Sequence, residues 1–143
     1  MRTPREFNLY AIKAEIKNPD AAVFEFKDQK TMYGGKKIAV GDTIYLFASE
    51  NEGGAGLAAQ GTITATAGTP RKIGIERQTP RVSITVKRTA RAKRALGRKE
   101  LSPYNVWTDG KPETELNFKF YRQATNKIVG LSEEAVALLE RQF

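Results

Sequence analysis

Six cations, Arg88, Arg91, Lys93, Arg94, Arg98 and Lys99, crowd one short stretch of the chain, and Tyr104 and Trp107 follow in "SPYNVWTDG". Residues 71–99 hold 11 Lys and Arg against a single acid, whereas residues 1–70 balance 8 against 8 and residues 100–143 carry 5 against 7. The formal net charge of +8 is therefore the property of one segment. A block of one sign focuses field and releases counterions from a polyanion, and nucleic acid is the partner that chemistry fits. The same run would also serve as a plain solvated face, and charge alone does not separate the two readings. Trp107 is the sole tryptophan of the chain. Its indole offers a flat surface on which a base can stack, although it and Tyr104 would equally seal one end of a core.

A second set of residues could do bond chemistry. Lys13, a hydroxyl from Thr31 or Ser49, and the Glu50 carboxylate are what an amidohydrolase would need, but nothing in their spacing forces them together. The chain has no histidine and no cysteine, which excludes an imidazole base, a thiolate nucleophile, a disulfide and a thiolate zinc site. No metal or cofactor is expected. The run Gly54-Ala55-Gly56-Leu57-Ala58-Ala59 satisfies the relaxed pattern G-x-G-x-x-A, with Glu76 near the distance of a ribose-binding acid. That pattern works only when the glycines open a helix whose amides meet a pyrophosphate, and here "QGTIT" reads as a strand. Glu50 and Glu52 would repel phosphate as well.

The elements that must position these residues are mostly extended. "FNLYAIKAE", "AVFEFKD", Ile44–Ser49, Gly61–Ala67, "KIGIERQ" and "RVSITVKRT" all read as short strands, punctuated by Asn18-Pro19-Asp20, Gly34-Gly35, Gly41-Asp42 and Gly68-Thr69-Pro70. Ile44, Leu46 and Ala48 would fill a barrel, leaving Tyr45, Phe47 and Ser49 to lead outward or toward its mouth. "ARAKRALGRKEL" shifts to helical period, with Arg91, Arg94 and Arg98 along one stripe. "ELNFKFYRQ" alternates Leu116, Phe118 and Phe120 and predicts a strand. "LSEEAVALLERQF" predicts a helix, capped by Ser132 with Glu133 and Glu134 in its first turn. The sum is a mixed, β-rich α+β domain over residues 1–143: a small barrel with short flanking helices and a C-terminal helix. No apolar stretch approaches the roughly 20 residues of a membrane span, and the expected location is cytoplasmic.

The sequence also resembles PUA-like barrel domains, of the EVE branch first and the ASCH branch second. The residues that carry the likeness are Lys37-Ile38-Ala39-Val40-Gly41-Asp42, Ile44-Tyr45-Leu46-Phe47, Ser49 and Gly61, together with the closing segment from Glu115. The tryptophan and Ser-Glu-Pro run common near EVE N-termini are replaced by "FNLYAIKAEIKNPD". The resemblance implies a reader of a modified base or of RNA, with the base held between the barrel and the loop after the Gly-Asp strand. By position, Phe47, Ala48, Ser49, Glu50 and Asn51 would line that pocket, and the loop aromatics Tyr33, Tyr104 and Trp107 would join them.

The leading expectation is thus a non-enzymatic nucleic-acid-binding domain, for RNA or DNA. An unpaired, flipped or modified base would enter the aromatic pocket, and the basic stripe Arg88, Arg91, Lys93, Arg94, Arg98 and Lys99 would contact phosphates. One alternative is an ASCH-like amidohydrolase acting on a modified nucleoside. Another is a protein-interaction module docking an acidic partner. Oligomeric state is left open.

Overall fold

The computed structural model describes residues 9–68, 81–123 and 127–143. Six strands close a barrel: β1 (Leu9–Ala14), β2 (Val23–Met32), β3 (Thr43–Ala48), β4 (Gly56–Gly68), β5 (Arg81–Arg91) and β6 (Lys127–Gly130). Their order around it is β1-β3-β4-β5-β2-β6. β1 runs parallel to β3, with Tyr10 beside Ile44 and Ile12 beside Leu46, and β6 closes the ring antiparallel to β1 and parallel to β2. The expected strand "KIGIERQ" lies outside the described residues.

Period-two alternation decides which side chains fill the barrel. Phe24 and Phe26 of β2, Ile44 and Leu46 of β3, and Val82, Ile84 and Val86 of β5 meet inside with Tyr10, Ile12, Ile63 and Ile128. β3 is entered through a tight turn at Gly41, whose φ of 93° suits glycine, and the Asp42 carboxylate accepts the Ala39 amide at 2.8 Å. β3 pairs antiparallel with β4, as a long-looped hairpin requires.

Both faces of β3 are buried, and here the expectation for its second face fails. Tyr45 and Phe47 point out of the barrel, yet a layer of helices covers them and both are fully buried. This second core joins Ala11, Leu57 and Val129 from the strands to Leu101, Leu116, Phe120, Ala135, Leu138 and Leu139. The covering elements are α1 (Arg98–Leu101), α2 (Pro112–Asn117), a π-helical turn over Phe118–Gln123, and α3 (Glu133–Glu140). α3 begins as expected, its Ser132 hydroxyl accepting the Ala135 amide at 3.1 Å.

Two segments depart from their expected form. The helix expected over "ARAKRALGRKEL" shrinks to the four residues of α1, because β5 runs on to Arg91 and the chain then stays beside β4. The Ala92 amide donates to the Ala58 carbonyl and the Leu57 amide to the Leu96 carbonyl. At this crossing Gly56 meets Gly97: a Cβ on Gly56 would lie 2.4 Å from the Gly97 Cα. Gly56 and Gly97 thus let two backbones touch, whereas Gly53 answers to a left-handed φ of 87° and Gly54 to the Ala48 carbonyl, 2.4 Å from where its Cβ would stand.

The strand expected over "ELNFKFYRQ" is instead α2 and the π-helical turn, and the last barrel strand is β6. Leu116 and Phe120 are four apart, so the same apolar spacing that reads as alternation also fits one helical face; both are fully buried. Pro112 at the first turn and Glu113 and Glu115 beside it favour the helical solution. Among the described residues, no helix is long and apolar enough to cross a membrane.

Candidate nucleic-acid interface

Trp107 stands in the turn between α1 and α2 with 39% of its surface exposed. Its ring packs on Phe118 at a centroid distance of 5.6 Å, and the Arg122 guanidinium lies 5.0 Å above it. Phe118 and Arg122 are four residues apart, so one face of the helical segment supplies both. Asn117 and Tyr121, also four apart, face a cleft of about 460 Å³ that Trp107, Arg98 and Arg122 complete. Ser102 and Asn105 stand at its rim. The cleft therefore has two aromatic walls and two guanidinium groups.

Its floor is fixed by a polar cluster. The Tyr121 hydroxyl donates to Glu50, at 3.0 and 2.9 Å from the two carboxylate oxygens. Burial, aided by this carboxylate, pushes the Tyr121 phenol well above its ordinary range. Glu50 also accepts the Arg98 amide at 2.6 Å, and the Arg98 side chain reaches Asn51 Oδ1 at 3.3 Å. Lys13 is only 3% exposed; its ammonium donates to the Phe120 carbonyl at 2.6 Å and lies 4.5 Å from the Tyr121 ring centroid. Desolvation lowers the Lys13 pKa, nearby Glu50 opposes that shift, and Arg98 adds to it. The Arg98 guanidinium stands 5.6 Å from the Tyr121 ring.

The residues expected to form one base pocket are divided. Trp107 lines the cleft, and Glu50 and Asn51 hold its wall through Tyr121 and Arg98. Phe47 cannot stack a base: it is fully buried, with its ring 4.7 Å from that of Phe120. Ser49, 3% exposed, ties its amide to the Ala14 carbonyl and its own carbonyl to the Gly54 amide. Ala48 lines a different cleft of about 380 Å³, beside the glycine-rich loop and Arg91. Tyr33 lines a third, larger cavity, and the Tyr104 ring sits 6.0 Å from the Lys111 ammonium while its carbonyl accepts from Asn117.

Arg91, Arg94 and Arg98 do not form a helical stripe, since Arg91 belongs to β5 and, of the six cations, only Arg98 and Lys99 belong to α1. Several of them tie loops down. Arg88 donates to the Ala21 carbonyl at 2.9 Å, Arg91 to the Ala58 carbonyl at 3.1 Å and to the Asp20 carboxylate, and Arg94 to the Arg141 carbonyl at 2.5 Å. Arg98 is the one among the six that lines the tryptophan cleft. Of the groups weighed for hydrolysis, Lys13 and Glu50 interact, Thr31 lies on β2 opposite Ile128, and Ser49 is buried directly before Glu50 in the chain. The hydroxyl that meets Glu50 is that of Tyr121.

Tyr121, Arg122 and Asn117 escaped the sequence reading because a strand over residues 115–123 sends Arg122 to the face opposite Asn117 and Tyr121 and sets those two far apart along the chain. The signal that would have gathered them is the proline and acid pair opening α2, which imposes helical spacing on everything after it.

No protein-family model matches the chain, and no curated protein matches it in sequence. Solved structures do match in shape. The DUF55 domain of human thymocyte nuclear protein 1 superposes with a TM-score of 0.64 at 14% identity, covering 93% of this chain and 97% of that one. Human THYN1 protein in complex with 5-methylcytosine-containing DNA gives 0.61 at 13%, with coverage of 94% and 97%. A hypothetical protein from Leishmania major gives 0.60 at 14%, with coverage of 96% and 95%. The closed six-stranded barrel with its covering helices is thus a PUA-like fold of the EVE type.

Proposed function

We propose that the chain is a non-enzymatic nucleic-acid-binding domain that takes an unpaired, extruded or modified base into the cleft between Trp107 and Tyr121. The observation that carries this reading is the placement of two aromatic walls and the guanidinium groups of Arg98 and Arg122 around one opening. Its shape-neighbour, human THYN1, is in complex with 5-methylcytosine-containing DNA, which supports the same ligand class here.

The energetics favour entry. An arginine resting on an exposed ring is worth about 0.5–1 kcal/mol, whereas stacking a base contributes about 1–3 kcal/mol. A base therefore displaces Arg122 from the Trp107 face at a net gain, and the freed guanidinium turns to a flanking phosphate. Arg98 and Lys99 supply neighbouring phosphate contacts, and Ser102 and Asn105 offer hydrogen bonds to the base edge. Arg88, Arg91, Lys93 and Arg94 act at longer range, raising the local concentration of a polyanion without reading it. Extrusion costs a few kcal/mol, least for a damaged or modified base, so a modified or single-stranded target is preferred.

The test uses Trp107 itself as reporter. Titrating DNA that contains 5-methylcytosine should change tryptophan emission and show an affinity that falls with salt, and Trp107→Leu should weaken binding about tenfold or more. Unchanged emission with no salt-dependent binding at low ionic strength would overturn the reading.

A further inference from the structure

The tryptophan cleft is not isolated. Trp107 also walls a smaller cleft of about 190 Å³ with Gly110, Lys111, Thr114 and Lys119. Lys119 in turn lines the cavity of about 690 Å³ that holds Tyr33, Gly34 and Lys37. Shared walls join the three into one arc around the helical layer. Three rings along it stand against a cation: Tyr121 with Arg98 at 5.6 Å, Trp107 with Arg122 at 5.0 Å, and Tyr33 with Lys119 at 4.8 Å.

Tyr33 is the residue at the far end that general packing does not explain. Its φ of 53° is unusual for a side chain of that size, and it is 41% exposed. Its carbonyl accepts the Gly130 amide at 3.2 Å, so pairing with β6 holds the unusual backbone and keeps the ring at the cavity edge. Lys119 is anchored as well, its ammonium donating to Glu115 at 3.0 Å and to the Gly130 carbonyl at 2.7 Å. Glu115 is thereby neutralised, while Glu133 at the start of α3 stands as an acid on the far lip.

We infer that a single strand of nucleic acid several nucleotides long follows this arc, with one base at Trp107 and a second stacked on Tyr33 near Lys119 and Lys37. Alternating rings and cations are what a single strand presents in complement, since every base has a stacking face and every linkage a charge. The inference rests on the proposed base site at Trp107 and extends it.

The experiment compares a trinucleotide centred on 5-methylcytosine with twelve-nucleotide strands carrying that trinucleotide at either end, as DNA and as RNA. Binding is followed by Trp107 emission and by anisotropy of labelled strands. One of the longer strands should bind at least tenfold more tightly than the trinucleotide. Tyr33→Asn, which keeps a residue tolerant of positive φ, should erase most of that gain and leave the trinucleotide unaffected. Lys37→Gln should reduce the gain more than Lys27→Gln, an equal charge loss on the exposed part of β2. No gain at either end, or a gain that survives Tyr33→Asn, would overturn the arc. A trinucleotide that leaves Trp107 emission unchanged, beside a Tyr33-dependent long strand, would instead remove the base site and keep the arc. Preference for the DNA or the RNA series identifies the sugar.

Discussion

The Lys13 ammonium, buried between the barrel and the helical layer, donates to the Phe120 carbonyl at 2.6 Å. A π-helical turn leaves main-chain groups displaced from the regular ladder, and this lysine satisfies one of them one residue before Tyr121. Lys13→Met should therefore cost about 1–3 kcal/mol through the orphaned carbonyl. It should also weaken nucleic-acid binding by shifting Tyr121 and Arg122. Urea unfolding followed by Trp107 emission reads the first effect and DNA titration the second; a variant as stable and as avid as the parent would refute both.

Tyr121→Phe removes a hydroxyl that donates to Glu50 and leaves the ring in place. The loss should be about 1.5–3 kcal/mol, the range for a hydrogen bond to a charged group. Stacking in the cleft should persist, so stability falls while base affinity changes little. Glu50→Gln should be more harmful to binding, since it also loosens the amide of Arg98.

Acid sensitivity should arise at Glu115. Burial disfavours its charge, but hydrogen bonds from the Ser132 hydroxyl and amide and the ammonium of Lys119 outweigh it, holding the pKa below the ordinary value of 4.5. The folded state then binds fewer protons than the unfolded one as pH falls through 4.5, and stability falls with it. The contribution is complete above that value and lost once the pH drops below the folded pKa. Denaturation midpoints between pH 3 and 6 should slope less in Glu115→Gln than in the parent.

The glycine-rich loop offers a paired test. Gly56→Ala would drive a methyl to 2.4 Å from the Leu96 carbonyl at a φ of 89°, whereas Gly53→Ala at a φ of 87° meets open space. Gly53→Ala should cost about 1–2 kcal/mol for the left-handed backbone alone. Gly56→Ala should cost clearly more, because the crossing with Gly97 must open; equal thermal midpoints for the two would contradict the crossing as the reason for the glycine.

The barrel was legible wherever alternation had one interpretation. Val82, Ile84 and Val86 could only be a half-buried strand, and the Ser132 cap with its two glutamates could only open a helix. Leu116, Phe118 and Phe120 had two interpretations, and tertiary packing chose the helical one. That choice moved Tyr121 and Arg122 into the candidate site. Phe47 shows the converse problem: its outward direction was readable, but that a second layer would cover it depends on contacts with Phe120, far away in sequence. Arg88 and Arg91 could be counted as charges, while the carbonyls that occupy them, of Ala21 in a loop and Ala58 in β4, are far away in sequence.

The two apolar clusters lie on opposite sides of the barrel wall, Ile44 and Leu46 serving one side of β3 and Tyr45 and Phe47 the other. The barrel interior and the helical layer are consequently packed separately. Changes to α1, α2 and the turn after it can alter the outer layer while the strands keep their own interior intact. Such a division leaves room for the outer layer to drift widely over one unchanging frame, which accords with sequence identities of 13% and 14% at nearly full overlap of shape.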